Sequence, residues 1–107
     1  MKDVEFVIAW TTLPTETDVA TFARTLVDER LAACVTLYSP VQSVYRWRDR
    51  VEQESEQLVL IKTTARRVKA LWVRLRQLHP YEVPEFIVAP VIDGNAAYLN
   101  WINESTG

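Results

Sequence analysis

The sequence predicts an α+β domain in which two amphipathic helices cover one face of an antiparallel sheet. Apolar residues form strand-like runs and two stretches with helical spacing, in the order β-α-β-β-α-β. A polar turn at residues 48–50 joins two long strand-like arms, which is the pattern of a β-hairpin. The chain has 107 residues, 49% of them hydrophobic, so a single domain over residues 1–107 is expected.

The first half of the chain predicts a strand, a helix and a long interrupted strand. Residues 4–11 are an apolar run typical of a buried strand, and Leu13-Pro14-Thr15 is expected to end it. Residues 16–30 have apolar positions at i, i+3 and i+4, and Thr15 with Asp18 resembles a loose capping box. Strand character then resumes until Ser39-Pro40, which predicts a bend, a bulge or an edge strand.

The second half predicts the hairpin, a second helix, a last strand and a short helix. The hairpin arms, 41–47 and 51–63, exceed the usual length of about 5–6 residues, so their tips are expected to reach another subunit. Residues 65–78 have helical spacing, and the continuous apolar run 86–92 predicts a strand covered on both faces. With a short helix at 96–103, this order predicts a ferredoxin-like sandwich.

Composition argues against several functional classes. The formal net charge is −2, whereas nucleic-acid-binding proteins usually carry a basic surface. No apolar run approaches the ~18 residues of a membrane span, and the first residues lack a signal-peptide pattern, so no membrane partner is expected. The single cysteine, Cys34, allows no internal disulfide and fits a cytoplasmic location. Four tryptophans and four tyrosines exceed what a small core easily buries, which favours a subunit interface.

The most distinctive segment is the proline loop, residues 79–86, with the sequence His-Pro-Tyr-Glu-Val-Pro-Glu-Phe. Its two prolines exclude a helix interior and stiffen the backbone around Tyr81, Glu82 and Glu85. Stiff loops often carry function, although these prolines could also only end a helix and orient a strand. His79 is the best single metal-ligand candidate, because imidazole suits copper, zinc and nickel. One histidine and one cysteine do not complete a structural zinc site, so symmetry-related copies would be needed.

The second hairpin arm carries a further polar pattern. Glu52, Glu54 and Glu56 point to the same side as Lys62, with alternate residues about 6.6 Å apart. One ion could therefore bridge two neighbouring carboxylates at best, and charges on a strand also prevent edge-to-edge aggregation. Lys62 follows an apolar run, so it is expected either to pair with a carboxylate of the proline loop or to bind an anion.

Templates for catalysis are absent from the sequence. It contains no Gly-rich phosphate loop, no HExxH and no GxSxG, so no enzyme activity is expected. Cys34 lies between Ala33 and Val35, a setting more typical of a small core residue than of a nucleophile. The second helix carries several basic residues that predict a solvated face or, alternatively, an anion-binding face: Arg66, Arg67, Lys69, Arg74 and Arg76.

Five motifs follow one another along nearly the whole chain: Leu31-Ala32-Ala33-Cys34-Val35, Ser43-Val44-Tyr45-Arg46-Trp47, Leu60-Ile61-Lys62-Thr63, His79-Pro80-Tyr81-Glu82-Val83-Pro84-Glu85 and Tyr98-Leu99-Asn100-Trp101. In this order and spacing they resemble the CutA family of divalent-cation tolerance proteins. The resemblance implies a ferredoxin-like fold and a compact homotrimer in which the long hairpins pair between subunits. That assembly is similar to the PII signalling proteins, which bind small effectors in clefts between subunits.

The resemblance also implies a function and a set of site residues. It implies a non-catalytic protein involved in tolerance to copper and other divalent cations, with copper or zinc as the candidate bound ion. The matching motif residues would lie near an intersubunit cleft that binds a metal ion or a small ligand: Cys34, Tyr45, Trp47, Glu56, Lys62, His79, Tyr81, Glu82, Glu85 and Trp101. Two alternatives are a PII-like sensor of an anionic metabolite, using Lys62 and the arginines, and an assembly module without a ligand.

The chain departs from the family pattern at three places. Many members have Pro-Gly where this chain has Ser39-Pro40, so the local bend is expected to differ. Members proposed to bind copper have a cysteine at the end of the first strand and a second histidine before His-Pro-Tyr. Here those positions are Thr11 and Leu78, which weakens the expectation of a soft copper site.

Overall fold

The computed structural model describes residues 4–107, which form a five-stranded antiparallel sheet and three α-helices. A turn of 3-10 helix, Ala65–Arg67, precedes the second α-helix. The predicted α+β fold and the order of its elements are confirmed. In chain order the elements are β1 (Phe6–Pro14), α1 (Val19–Asp28), β2 (Cys34–Leu37), β3 (Val41–Trp47), β4 (Arg50–Thr64), α2 (Val68–Leu78), β5 (Ile87–Pro90) and α3 (Ala96–Ser105).

The sheet is organised around β4, its longest strand. The strand order is β2-β4-β1-β5. β2 and β3 pair with the same edge of β4, β2 with residues 59–62 and β3 with residues 50–56. Residues 38–40 lie opposite only residues 57 and 58, so β2 and β3 are separated by an insertion of one residue. The interruption predicted at Ser39-Pro40 is therefore confirmed.

The core lies between one face of the sheet and the helices α1 and α2. Phe22 and Leu26 of α1 pack with Leu71 and Leu75 of α2 in one cluster of buried apolar residues. Burial of such a side chain contributes about 1.5–3 kcal/mol, so this face supplies most of the hydrophobic stabilisation. The strand residues that complete the cluster are Ala9, Leu13, Val59 and Ile61.

The junction between β1 and α1 differs from the prediction. β1 continues to Pro14 rather than ending at Thr11, because its pairing with β4 extends to Glu56. The N-cap of α1 is Asp18, whose carboxylate accepts a hydrogen bond of 3.1 Å from the Thr21 backbone N–H. The capping box predicted from Thr15 is wrong, because Asp18 itself satisfies the first turn of the helix.

The structure also corrects the prediction for β5. This strand lies at the edge of the sheet and pairs only with β1. Ile87 is 57% exposed and Ile92, just after the strand, is 90% exposed. The expectation of a strand covered on both faces is wrong for the single chain, because the consecutive residues Ile87 and Val88, which point to opposite faces, are both exposed.

The hairpin turn consists of two residues rather than the predicted three. Arg48 and Asp49 have φ values of 50° and 67°, and Arg50 already pairs with Trp47. Two consecutive positive φ values define a type I′ turn, whose twist matches that of the flanking strands.

The helix α3 is docked onto the end of β4 and onto the 3-10 turn that precedes α2. The Oγ1 atoms of Thr64 and Thr106 lie 3.1 Å apart in a buried contact. Arg67 Nε donates to the Thr106 carbonyl at 2.7 Å, and Arg66 Nη1 donates to Asn103 Oδ1 at 2.7 Å. Arg66 is exposed, as predicted for a solvated face, whereas Arg67 is half-buried against α3. None of the helices within residues 4–107 is long and apolar enough to cross a membrane.

Candidate functional site

The hairpin and the proline loop enclose a cleft of about 640 Å³. One wall consists of alternate residues of β3 and β4, which point to the same face of the hairpin. The other wall consists of proline-loop residues, so segments distant in the sequence meet here. We call this the acidic cleft and define it by five glutamates that line it: Glu52, Glu54, Glu56, Glu82 and Glu85.

Two aromatic residues of β3, Tyr45 and Trp47, line the same cleft. The cleft therefore brings together six of the predicted site residues: Tyr45, Trp47, Glu56, Tyr81, Glu82 and Glu85. Tyr45 also donates a hydrogen bond to Glu54 Oε1 across the hairpin. Aromatic faces next to carboxylates form a surface that suits a positively charged ligand.

Negative charge dominates the electrostatics of the acidic cleft. Its lining, within the described part of the chain, contains no lysine, arginine or histidine. Burial and the nearby Glu56 charge raise the pKa of Glu85 above its usual value. The hydrogen bond to Glu54 raises the pKa of Tyr45 to about 12. Burial is thus the main cause of the pKa shift of Glu85, and the hydrogen-bonded Glu54 carboxylate is the main cause of the pKa shift of Tyr45.

Glu56 connects the two walls of the cleft. It is only 7% exposed, and its Oε2 accepts a 2.8 Å hydrogen bond from the Tyr81 hydroxyl. Burial, together with this bond to Glu56, raises the pKa of Tyr81, so the hydroxyl remains a proton donor. The contact fixes the proline loop against β4.

His79 lies behind the loop rather than in the cleft lining. Its side chain is 7% exposed, and Nδ1 accepts a 3.1 Å hydrogen bond from the Tyr81 backbone N–H. Nε2 therefore carries the ring proton and donates it to the Thr12 carbonyl at 2.7 Å. Burial lowers the pKa of His79, which favours this neutral form.

These contacts test whether His79 fits a metal ion. Both ring nitrogens are already engaged, so a bond to copper or zinc would displace either Tyr81 or Thr12. Residues 4–107 also contain no group of three or more His, Cys, Asp or Glu side chains placed to hold a metal ion. The residues present do not fit a copper or zinc ion bound through His79.

The remaining predicted residues lie at the other end of the sheet. Lys62 is six positions after Glu56 on β4, about 20 Å along the strand. Its Nζ lies 3.4 Å from the Tyr98 hydroxyl and 5.6 Å from the centre of that ring. Trp101 packs on Tyr98, and the half-buried Cys34 is the β2 partner of Lys62. The predicted pairing of Lys62 with Glu82 or Glu85 is therefore wrong within one chain.

Two features of the site were not predicted. The Thr12 carbonyl holds the histidine, and backbone acceptors of this kind leave no signal in a side-chain pattern. The bond between Glu56 and Tyr81 was missed because strand alternation assigns a face to Glu56 but does not indicate which loop covers that face.

The motifs that build the site match one protein family along almost the whole chain. A family model described as "CutA1 divalent ion tolerance protein" matches residues 7–105. The chain belongs to the CutA family. The resemblance inferred from the five motifs is thereby confirmed.

This chain aligns with nearly all of some CutA relatives and with only about half of others. The divalent-cation tolerance protein CutA of Thermus thermophilus is 45% identical over 96 residues, which span 90% of this chain and 93% of that protein. Protein CutA of Mus musculus is 44% identical over 98 residues, 92% of this chain but 55% of the mouse protein. A solved structure of a Thermus thermophilus divalent cation tolerance protein matches with a TM-score of 0.91 and 42% identity, over 95% of this chain and 99% of that one. The CutA fold is thus shown for this chain.

Proposed function

We propose that this CutA family member is a non-catalytic homotrimer that binds a small organic cation in the acidic cleft. The observation that carries the proposal is the convergence of Tyr45, Trp47, Tyr81, Glu82 and Glu85 on one cleft. These residues come from the hairpin and the proline loop, and each was singled out from its motif. A cytoplasmic location agrees with the single free cysteine, because a reducing compartment keeps a thiol unpaired.

The charge of the cleft favours a cation over an anion. An anion would meet five glutamates, whereas an ammonium group would supply their missing countercharge and could stack on Trp47. Lys62, the candidate anion-binding residue, contacts Tyr98 at the other end of the sheet. These contacts do not favour an anion sensor built on the acidic cleft.

Apolar surface supports the proposed trimer. Exposed large hydrophobic residues are found on β5, the segment after it and α3: Ile87, Val88, Ile92, Tyr98 and Trp101. Val51 is also exposed on the hairpin, outside the lining of the acidic cleft. Apolar patches of this kind commonly mark contacts between proteins. A homotrimer would cover such surface by subunit contacts and would place each cleft close to a neighbour.

The test is a thermal-shift comparison of two four-carbon compounds of opposite charge, 1,4-diaminobutane and succinate. The diamine is expected to raise the melting temperature, because binding to the folded state stabilises it. Succinate is expected to give no shift. The Glu82→Gln/Glu85→Gln variant should lose the diamine response, since it removes two carboxylates from one wall of the cleft.

A matched control is the Asp28→Asn/Glu104→Gln variant, which changes the net charge equally but alters exposed residues outside the cleft lining. It should respond to the diamine like the unmodified protein. The same thermal-shift assay with zinc(II) or copper(II) in place of the diamine shows whether the protein binds either metal ion. The proposal is wrong if the diamine gives no shift, if both double variants respond alike, or if succinate stabilises the protein.

A further inference from the structure

The proline loop is attached to the rest of the chain by very few hydrogen bonds. Within the described residues 4–107, every hydrogen bond made by residues 80–85 involves Tyr81. Its backbone N–H donates to His79 Nδ1, and its hydroxyl donates to Glu56. His79 is in turn fixed to β1 through Nε2 and the Thr12 carbonyl. One imidazole therefore links α2, β1 and the loop.

This arrangement requires a neutral imidazole. Nδ1 can accept the Tyr81 N–H only while it carries a lone pair. A proton taken from solvent onto Nδ1 turns the acceptor into a donor, so two N–H groups would face each other 3.1 Å apart. A buried donor left without an acceptor costs about 1–3 kcal/mol, and the buried positive charge adds to that cost.

We propose that His79 is a pH-operated latch: uptake of a proton at Nδ1 expels the Tyr81 amide, leaves the Tyr81 hydroxyl bond to Glu56 as the remaining hydrogen bond of residues 80–85, and so loosens the loop over the acidic cleft. The step forms one N–H bond at Nδ1 and breaks one O–H bond of a hydronium ion, and no other covalent bond changes. The proline-stiffened loop then moves as a unit, because Pro80 and Pro84 limit its internal freedom. The effect on ligand binding rests on the proposed function, whereas the latch itself does not.

The groups packed around His79 determine whether its imidazole is charged or neutral. From β4, Glu56 faces the imidazole and favours its charged form, while burial opposes that form more strongly. From β1, the contact is the uncharged Thr12 carbonyl, and from the loop it is Tyr81, which stacks at 4.9 Å between ring centres. Glu85 titrates in the same cleft with a raised pKa, so its protonation must be separated from that of His79.

The experiment is an NMR pH titration of the ligand-free, full-length protein, which follows the His79 ring and the backbone amides of the loop together. The ring is expected to titrate below pH ~6.5, the value for an unperturbed histidine. The Tyr81 amide resonance should shift with the same midpoint. Hydrogen exchange of loop amides should accelerate as the pH falls through that midpoint, although intrinsic exchange slows in acid.

Two variants assign the effect to its source. His79→Gln removes the titrating ring, so the loop amides should show no transition at that midpoint. Glu85→Gln removes the nearby carboxyl and should retain the transition, which keeps the test decisive if His79→Gln fails to fold. The latch is overturned if the ring titrates without a Tyr81 shift, if it stays neutral until acid unfolding, or if the transition is lost in Glu85→Gln.

Because this readout needs no ligand, its result is independent of the proposed function. A latch that operates in a protein that binds no diamine would refute the proposed ligand class and leave the switch intact. Diamine binding that depends on the cleft glutamates, combined with a Tyr81 amide that does not respond to pH, would support the proposed ligand class and refute the latch.

Discussion

Tyr81 joins the proline loop to the hairpin through one buried side-chain contact. Its hydroxyl donates to Glu56, a carboxylate that is almost fully buried. Replacing Tyr81 by Phe leaves that carboxylate without its donor while keeping the ring. We expect Tyr81→Phe to lower the free energy of unfolding by about 1.5 kcal/mol, the scale for hydrogen bonds to charged groups, as measured by urea denaturation.

Tyr38→Phe is the matched control for that measurement. Tyr38 is 45% exposed, and its hydroxyl makes no hydrogen bond to any residue from 4 to 107. A surface substitution of this kind is expected to change the free energy of unfolding by less than about 0.5 kcal/mol. Equal losses in the two variants would show that the Glu56 contact contributes little.

Substitution of Glu85 is expected to stabilise the protein, whereas Tyr81→Phe is expected to destabilise it. Burial raises its pKa in the folded state, so the unfolded state gives up the proton more readily and the charged form opposes folding at pH 7. Glu85→Gln should therefore raise the free energy of unfolding at pH 7. The gain should shrink as the pH falls through the raised pKa and should vanish near the unfolded value of about 4.3.

Denaturant titrations from pH 7 to pH 4, at one protein concentration, measure this dependence. Glu5→Gln serves as the control because Glu5 is an exposed carboxylate outside the cleft lining. Its substitution is expected to leave the stability profile unchanged. A loss of stability at pH 7 in Glu85→Gln would indicate that the charged carboxylate makes a favourable contact.

Single-residue roles were the least predictable level of this molecule. His79 was a metal-ligand candidate because it is the only histidine and because it lies in a stiff loop. Its actual partners are two backbone groups, the Thr12 carbonyl and the Tyr81 amide. The Thr12 carbonyl reaches His79 because the end of α2 packs against β1, and this packing is not encoded in side-chain patterns.

At the scale of elements, the hairpin is the part that the sequence predicted best. The bounds of β3 match the prediction, and the break at Ser39-Pro40 lies where expected. The turn is unusual, because Arg48 and Asp49 both adopt positive φ without glycine or asparagine. Such φ values cost about 1–2 kcal/mol per ordinary L-residue, although Asp tolerates them better than most.

This turn supports a prediction for the hairpin. The Arg48→Asn/Asp49→Gly variant installs the residues that type I′ turns prefer, so we expect it to raise the free energy of unfolding by about 1 kcal/mol. The control, Asp49→Val, places a β-branched residue at φ 67° and should lower it by a similar amount. Chemical denaturation measures both, and a destabilised Asn-Gly variant would contradict the assigned turn.

The start of α1 and the last strand, β5, show why two other predictions about elements were wrong. Thr15 and Asp18 are both common caps, and the extended pairing of β1 up to Pro14 leaves Asp18 as the cap. The apolar run after the proline loop was predicted to be covered on both faces, yet β5 is an edge strand. Composition alone does not separate a strand buried by helices from one buried by another subunit.

At the scale of the whole molecule, the exposed apolar residues around β5 set the expected assembly. Ile92 is 90% exposed in the single chain, so it contributes little to the core of that chain. We expect Ile92→Asp to retain the fold while it weakens the proposed trimer, because it places a charge in a subunit contact. Sedimentation velocity should then show a smaller species at equal concentration.

Val73→Asp is the control for this assembly prediction. Val73 is also an exposed large apolar residue, 57% exposed, and it lies on α2, one of the two helices that pack on the core. That variant should sediment like the unmodified protein. A dissociated Val73→Asp together with an intact Ile92→Asp would place the contact on the helical side instead.

Native mass spectrometry of the metal-free protein with added 1,4-diaminobutane tests the proposed trimer and its cation-binding clefts together. It reports the subunit count and the bound ligand in one spectrum. We expect a trimer that takes up as many as three diamines, one for each acidic cleft, and a Glu82→Gln/Glu85→Gln trimer that takes up none. A monomer or dimer, or a trimer whose diamine uptake does not depend on these glutamates, would contradict this expectation.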